Sequence, residues 1–169
     1  PWMGCYGYQA NEGQTPVIDT LAQDGVLFKR AFVPVAVCSS CRSSFIVGAN
    51  AFRFGAHEHR SRRGKAALPL PDGLKTLPEL FQEAGYFTFN IGKTDYNFTA
   101  DNLYAKFSGT WNELPKNKPF FGQIQLKGGK TNTRKWPEAR KTDPKSAVVP
   151  ADYPQNDMYR EIVAQHCDA

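Results

Sequence analysis

The stretch of sequence that decides the fold joins an apolar extended run to a short helix. It reads Val33-Pro34-Val35-Ala36-Val37-Cys38-Ser39-Ser40-Cys41-Arg42-Ser43-Ser44-Phe45-Ile46-Val47-Gly48. The residues before position 38 predict a strand or extended segment. Ser39 and Ser40 are typical of a helix N-terminus, because their hydroxyls can satisfy amide donors that the first turn leaves free. Gly48 predicts the end of that helix.

The same stretch places reactive groups at the predicted helix start. Free amides and the helix dipole favour an anion beside Cys38. We expect Arg42, one turn along, to point its guanidinium at the same spot, and a guanidinium suits a tetrahedral oxyanion. The stretch therefore predicts a nucleophile that meets a sulfate or a phosphate group.

Helical signals recur on both sides of this stretch. Thr15 is predicted to cap a helix over residues 16–24, with Pro16 in its first turn and Gly25 after its end. The sequence Thr76-Leu77-Pro78-Glu79 is a capping box that opens a helix ending at Ala84. A further helix is predicted over residues 157–165.

Apolar runs between these helices predict strands over residues 26–33, 86–91 and 120–126, and residues 51–73 and 127–156 are predicted to be loops. Strands and helices alternate along the chain. The sequence therefore predicts an α/β fold with a central, mostly parallel or mixed sheet flanked by helices.

Length and charge set limits on the kind of protein. The chain has 169 residues, enough for one domain, and both ends look cut, so we expect a piece of one longer domain. The sequence contains no run of eighteen apolar residues, so no membrane-spanning helix is predicted. The net charge of +5 suits acidic partners such as sulfated sugars, nucleic acid or phospholipid head groups. Four cysteines permit disulfides in three connectivities.

Three blocks of the chain resemble the sulfatases of the alkaline phosphatase superfamily. Residues 15–28 resemble the family's Thr-Pro-Asn-Ile-Asp helix and the strand after it. Residues 38–48 resemble its Cys-x-Pro-x-Arg signature, and residues 85–93 resemble its Gly-Tyr-x-Thr signature followed by Gly-Lys. The blocks occur in the family's order, and Lys118-Pro119-Phe120-Phe121 also resembles the family's next central strand, so the resemblance covers roughly the first three quarters of the chain. The resemblance implies that residues 1–169 are the N-terminal part of a single sulfatase catalytic domain.

The resemblance implies a mechanism. Cys38 would be oxidised to formylglycine by a formylglycine-generating or sulfatase-maturating enzyme, and its hydrated aldehyde would attack the sulfur of a sulfate ester. Arg42 would hold the hydrated aldehyde, and Lys93 would contact a sulfate oxygen. The oxygen at position 38 would also bind a calcium ion, whose other family ligands are expected outside this chain. We expect this piece alone to be inactive.

The chain departs from the family pattern at several positions. Ser40 stands where the family has Pro or Ala, and Cys41 stands where it usually has a small hydroxyl residue. Asp95 stands where it often has His, although a Lys-Thr-Asp-Tyr-Asn variant like residues 93–97 occurs in bacterial sulfatases. Asp95 and Lys130 are predicted to bind substrate. We expect the substrate to be a sulfated carbohydrate rather than nucleic acid, and the protein to be periplasmic or secreted.

Other readings of the same residues stay open. A phosphonate or phosphodiester hydrolase of the same superfamily would use the same arrangement. Cys38 and Cys41 form a Cys-x-x-Cys pair, which fits a thiol oxidoreductase. The same cysteines with His57 and His59 could bind zinc. A non-catalytic domain could bind acidic polymers through residues 60–65.

Overall fold

The computed structural model describes residues 3–7, 15–60, 69–107, 109–125 and 142–168. Four α-helices are present in these ranges: α1 (Pro16–Asp24), α2 (Cys38–Val47), α3 (Leu77–Glu83) and α4 (Asp157–Asp168). Two strands, β1 (Phe87–Ile91) and β2 (Phe120–Ile124), pair in parallel with Phe87 opposite Phe120. Helices together with a parallel two-stranded sheet in the described ranges confirm the predicted α/β class. None of the described helices has the length and apolar character needed to cross a membrane.

The chain divides into two compact units. One contains residues 1–31 and 126–169, and the other contains residues 32–125. The second unit holds α2, α3, β1 and β2. Its core is a cluster of buried apolar side chains: Ile46, Ala51, Phe54, Ala56, Tyr96, Phe98 and Leu103.

The sequence predicted α3 and its cap correctly. Thr76 Oγ1 accepts a hydrogen bond from the Glu79 amide at 3.4 Å, and a Glu79 carboxylate oxygen accepts one from the Thr76 amide at 2.7 Å. These reciprocal bonds satisfy two amides that the first turn leaves free. After the helix, Gly85 has a φ of +85°, a left-handed conformation that glycine adopts without steric cost. The chain then turns into β1.

Near the start of the chain, the helix predicted over residues 16–24 is confirmed as α1, with Thr15 at its N-cap position and Pro16 in its first turn. The Thr15 side chain makes no cap bond; its hydroxyl accepts from the Gly4 amide at 3.0 Å and donates to Asp19 Oδ1 at 3.0 Å. The strand predicted after α1 is wrong. Residues 26–33 are neither helix nor strand. Within the described ranges the sheet has only β1 and β2, so this apolar run has no ladder partner there. Phe32 is accordingly 88% exposed.

Candidate active site

The predicted helix start at Cys38 is confirmed, because Cys38 is the first residue of α2. Val37 precedes it in an extended conformation, with φ −137° and ψ 147°, and provides no side-chain cap. The Cys38 thiol is exposed, and no disulfide joins it to Cys41. The structure therefore presents this side chain to solvent at the end of the helix where the backbone amides carry positive partial charge.

Ser39 and Ser40 do not cap α2, which corrects the sequence prediction. Both side chains are fully buried. The Ser39 hydroxyl accepts from the Arg60 amide at 2.9 Å and lies 3.3 Å from His59 Nδ1, while the Ser40 hydroxyl donates to the His57 carbonyl at 2.9 Å. The two serines thus connect the first turn of α2 to residues 57–60 by hydrogen bonds.

Asn97, which the sequence did not indicate, joins three segments. Its side-chain amide donates to the carbonyls of Ala56 at 2.8 Å and Glu58 at 2.6 Å, and it lies 3.4 Å from Ser40 Oγ. Its backbone amide donates to Ser43 Oγ at 2.8 Å. These bonds hold the segment after β1 against α2 and against residues 56–60.

Arg42 connects α2 to the carboxyl end of β1. Its Nε donates to the Thr94 carbonyl at 2.7 Å, and a terminal nitrogen donates to the Lys93 carbonyl. The sequence predicted this guanidinium beside Cys38, whereas its hydrogen bonds are with the backbone of Lys93 and Thr94. Two predicted site residues, Arg42 and Lys93, are therefore brought together.

Lys93 follows β1, and its ammonium makes an ion pair with Asp95. The distance from Lys93 Nζ to Asp95 Oδ2 is 2.5 Å, and Arg60 Nε lies 3.7 Å from Asp95 Oδ1. The Asp95 side chain is 1% exposed, while that of Lys93 is 43% exposed. Asp95 was predicted to bind substrate; the contacts shown for its carboxylate are with these two cations.

A cavity of about 390 Å³ lies beside Arg42 and is lined by Tyr96 and Gln123 among others. The guanidinium carbon of Arg42 is 5.8 Å from the centre of the Tyr96 ring, a cation–π distance. The Tyr104 hydroxyl bonds to that of Tyr96 at 2.8 Å and donates to Gln123 Oε1 at 3.0 Å. Burial, reinforced by the bond to Tyr96, raises the pKa of Tyr104 well above its usual value. Its hydroxyl is therefore protonated at neutral pH.

The zinc reading is wrong for the residues proposed. Cys38, Cys41, His57 and His59 are all described, and no group of three or more His, Cys, Asp or Glu side chains in the described ranges could hold a metal ion. A calcium ion needs six to eight oxygen ligands. Because no group of three or more His, Cys, Asp or Glu side chains in the described ranges could contribute to such a shell, these side chains do not by themselves fit the calcium ion that the resemblance implies.

Several predicted features fall outside the described residues. Lys130 is one of them, and so is most of the basic segment 60–65, of which only Arg60 is described. Arg60 itself was named only as part of that segment. Its position beside Lys93 carried no local signal in the sequence, because the two are brought together by Asp95.

Comparison with known proteins finds relatives that agree with the resemblance seen in the sequence. A family model described as Sulfatase matches residues 1–165. The chain is 30% identical over 115 residues to Iduronate 2-sulfatase of Mus musculus, covering 68% of this chain and 20% of that protein. It is 29% identical over 114 residues to Ulvan-active sulfatase of Formosa agariphila, covering 67% and 20%. The chain thus spans about a fifth of the length of these curated relatives.

Among solved structures, the phosphonate monoester hydrolase of Agrobacterium radiobacter is 25% identical, with a TM-score of 0.45 over 75% of this chain and 23% of that one. The family match covers nearly the whole chain and agrees with the three sequence blocks. The prediction of the family is therefore confirmed: this chain belongs to the sulfatase family.

Proposed function

We propose that the protein carrying this chain is a sulfuric ester hydrolase acting on a sulfated carbohydrate, with a formylglycine formed from Cys38 as its nucleophile. The observation that carries the proposal is the exposed Cys38 at the first residue of α2, on the same helix as Arg42, which binds the backbone of Lys93. One relative is named for iduronate, a sugar acid, which supports the carbohydrate class.

Residue 38 supplies the nucleophile once the maturating enzyme has oxidised it and the aldehyde is hydrated. One hydroxyl of the diol attacks the sulfur of the ester while the S–O bond to the alcohol breaks and the alcohol leaves. The other hydroxyl then expels sulfate and restores the aldehyde. The chain's own residues supply electrostatic stabilisation. The Lys93 ammonium, half exposed at the carboxyl end of β1, binds a sulfate oxygen. Arg42 fixes the Lys93 backbone and adds positive charge at the carboxyl end of β1. Asp95 belongs to this substrate-binding group through its ion pair with Lys93.

The remaining parts of the proposal come from the resemblance. A formylglycine-generating or sulfatase-maturating enzyme is the partner that converts Cys38, and the protein is periplasmic or secreted. Residues 1–169 contribute to a single catalytic domain. The resemblance also implies a calcium ion, most of whose ligands would come from outside residues 1–169. Lys130 stays a predicted substrate contact.

Peptide mass spectrometry on the segment around Cys38, from protein made in its native host, tests the nucleophile. We expect the aldehyde at position 38, and we expect Cys38→Ala to lower the turnover of sulfate esters by on the order of 10³-fold or more. Cys41→Ser is the matched control. We expect it to change the turnover of sulfate esters only slightly, since a sulfatase needs no second thiol.

An unmodified Cys38 in every peptide, together with full activity of Cys38→Ala, would contradict the proposal. A Cys41→Ser variant that abolishes thiol–disulfide exchange would favour the oxidoreductase instead. Turnover of phosphodiesters or phosphonates without turnover of sulfate esters would favour the related hydrolase.

A further inference from the structure

The buried carboxylate of Asp95 contacts two cations that come from distant segments. Lys93 follows β1, and Arg60 belongs to the segment after α2. Burying a carboxylate is costly unless the charge is paired. The two cations meet this requirement, and they are held near each other because they approach the two oxygens of one carboxylate.

Both cations retain donors for a ligand. The side chain of Arg60 is 49% exposed and that of Lys93 is 43% exposed. A guanidinium has five N–H donors and an ammonium has three, so one shared carboxylate uses only part of them. Two positive charges against one negative charge leave the group with a net charge of +1. An anion is therefore favoured where the two cations face solvent.

The backbone at this ion pair is held in a sterically unfavourable conformation. Arg60 has a φ of +57° and Asp95 a φ of +52°. Residues other than glycine adopt this left-handed region at a cost in free energy, and such residues cluster at ligand sites. In the described ranges, Asn102 is the one other residue of this kind. Two of the three therefore meet in one contact.

The ion pair is also tied to the start of α2. The Arg60 amide donates to the hydroxyl of Ser39, the residue next to Cys38, at 2.9 Å. On the other side, the Lys93 carbonyl accepts from Arg42. Hydrogen bonds thus connect both cations to the helix whose first residue is the proposed nucleophile.

We propose that Arg60 is a substrate-binding residue that holds the sulfate oxyanion together with Lys93, with Asp95 as the positioning residue for both cations. This inference rests on the proposed function and adds to it a residue outside the three family blocks. The planar guanidinium suits a tetrahedral oxyanion because it can donate two parallel hydrogen bonds.

The test is the affinity of the full-length protein for inorganic sulfate, measured by isothermal titration calorimetry. Arg60→Asn removes the charge, and asparagine tolerates the left-handed backbone better than most residues. We expect the Kd for sulfate to rise about tenfold to hundredfold, the range for losing a hydrogen bond to a charged group. Arg60→Lys should recover part of the affinity. Arg53→Asn, at another exposed arginine, should leave the Kd unchanged.

A merely structural role for Arg60 would lower the thermal unfolding midpoint without changing the Kd. Circular dichroism checks that each variant folds, and Arg60→Gln replaces Arg60→Asn if the latter does not. An unchanged Kd in the folded variant would overturn the inference. The absence of sulfate binding by the wild-type protein would also overturn it. If neither variant folds, Arg60 is a structural residue, and the inference is overturned as well.

Turnover separates this inference from the proposed function. Sulfate-ester turnover with an unchanged KM and Kd in Arg60→Asn would leave the function intact and reject the role of Arg60. Sulfate binding that depends on Arg60, in a protein that turns over no sulfate ester, would keep the site and reject the function.

Discussion

At the scale of single residues, α2 is held in place by hydrogen bonds more than by apolar contacts. Four of its serines are buried, and three of them, Ser39, Ser40 and Ser43, form side-chain hydrogen bonds, whereas Ile46 is its one buried aliphatic side chain. Ser43 Oγ donates to the Ser39 carbonyl at 2.7 Å and accepts from the Asn97 amide. Because a buried hydroxyl or amide without a partner is costly, the placement of this helix depends on residues that satisfy those groups.

Asn97→Ala tests this dependence. The substitution removes the donor to the carbonyls of Ala56 and Glu58, and it leaves a cavity in a fully buried position. An unsatisfied buried polar group costs about 1–3 kcal/mol, so we expect the free energy of unfolding to fall by about 3 kcal/mol once the cavity is added. Urea unfolding measures the change.

Asn112→Ala is the control, because Asn112 is exposed and surface substitutions usually change stability by less than about 0.5 kcal/mol. Equal losses in the two variants would show that Asn97 does not hold α2. A loss of stability confined to Asn97→Ala would support the network.

At the scale of secondary structure elements, local signals were predictable and long-range contacts were not. The start of α3 follows from Thr76 and Glu79, which are three residues apart. The run over residues 26–33 has the composition of a strand, but a strand also needs a partner, and composition does not supply one.

The same division applies to the candidate site. Cys38, Arg42 and Lys93 lie in sequence blocks that resemble a family, so they could be named in advance. Ser39 and Arg60 are 21 residues apart, and Asn97 lies 41 residues from Ala56. Their contacts follow from the packing of three segments, which no periodicity or motif encodes. The prediction that Ser39 and Ser40 cap α2 was wrong for the same reason, because their partners lie in residues 57–60.

The pairing of β1 with β2 depends on a glycine opposite a large ring. Gly122 lies opposite Phe89, and a Cβ built on Gly122 would lie 2.1 Å from the Phe89 ring. We expect Gly122→Ala to lower the free energy of unfolding by about 1–3 kcal/mol, the usual cost of overpacking a core. This exceeds the gain of about 0.5–1 kcal/mol from replacing a strand glycine with alanine.

A double-mutant cycle with Phe89→Leu isolates this contact. Leucine is smaller than phenylalanine, so Gly122→Ala should cost less in that background, with a coupling of about 0.5–3 kcal/mol. Urea unfolding of the four proteins gives the coupling. The same cost in both backgrounds would mean that the clash with the ring is not what requires glycine at position 122.

At the scale of the whole molecule, each compact unit has its own apolar core, and among the described residues the two cores differ in size. The unit of residues 32–125 has the seven-residue cluster around Ile46 and Phe54, with further half-buried side chains against it. The other unit has a smaller cluster beside α4, formed by Ala147, Val149, Val163 and Ala164. Since apolar burial is the main favourable term in folding, the two cores should differ in local stability.

Native-state hydrogen exchange tests this difference, because the free energy of opening can be assigned to each element. We expect the amides of α4 to open at a lower free energy than those of β1, whose Phe89 is buried and surrounded by aromatic rings. Val163→Ala should reduce protection in α4 and leave β1 unchanged, while Phe54→Ala should reduce protection in the unit that holds β1. Two outcomes would contradict this expectation: equal protection of the α4 and β1 amides, or a loss of protection spread evenly over both units in either variant. Either outcome would show that the chain unfolds as one cooperative body.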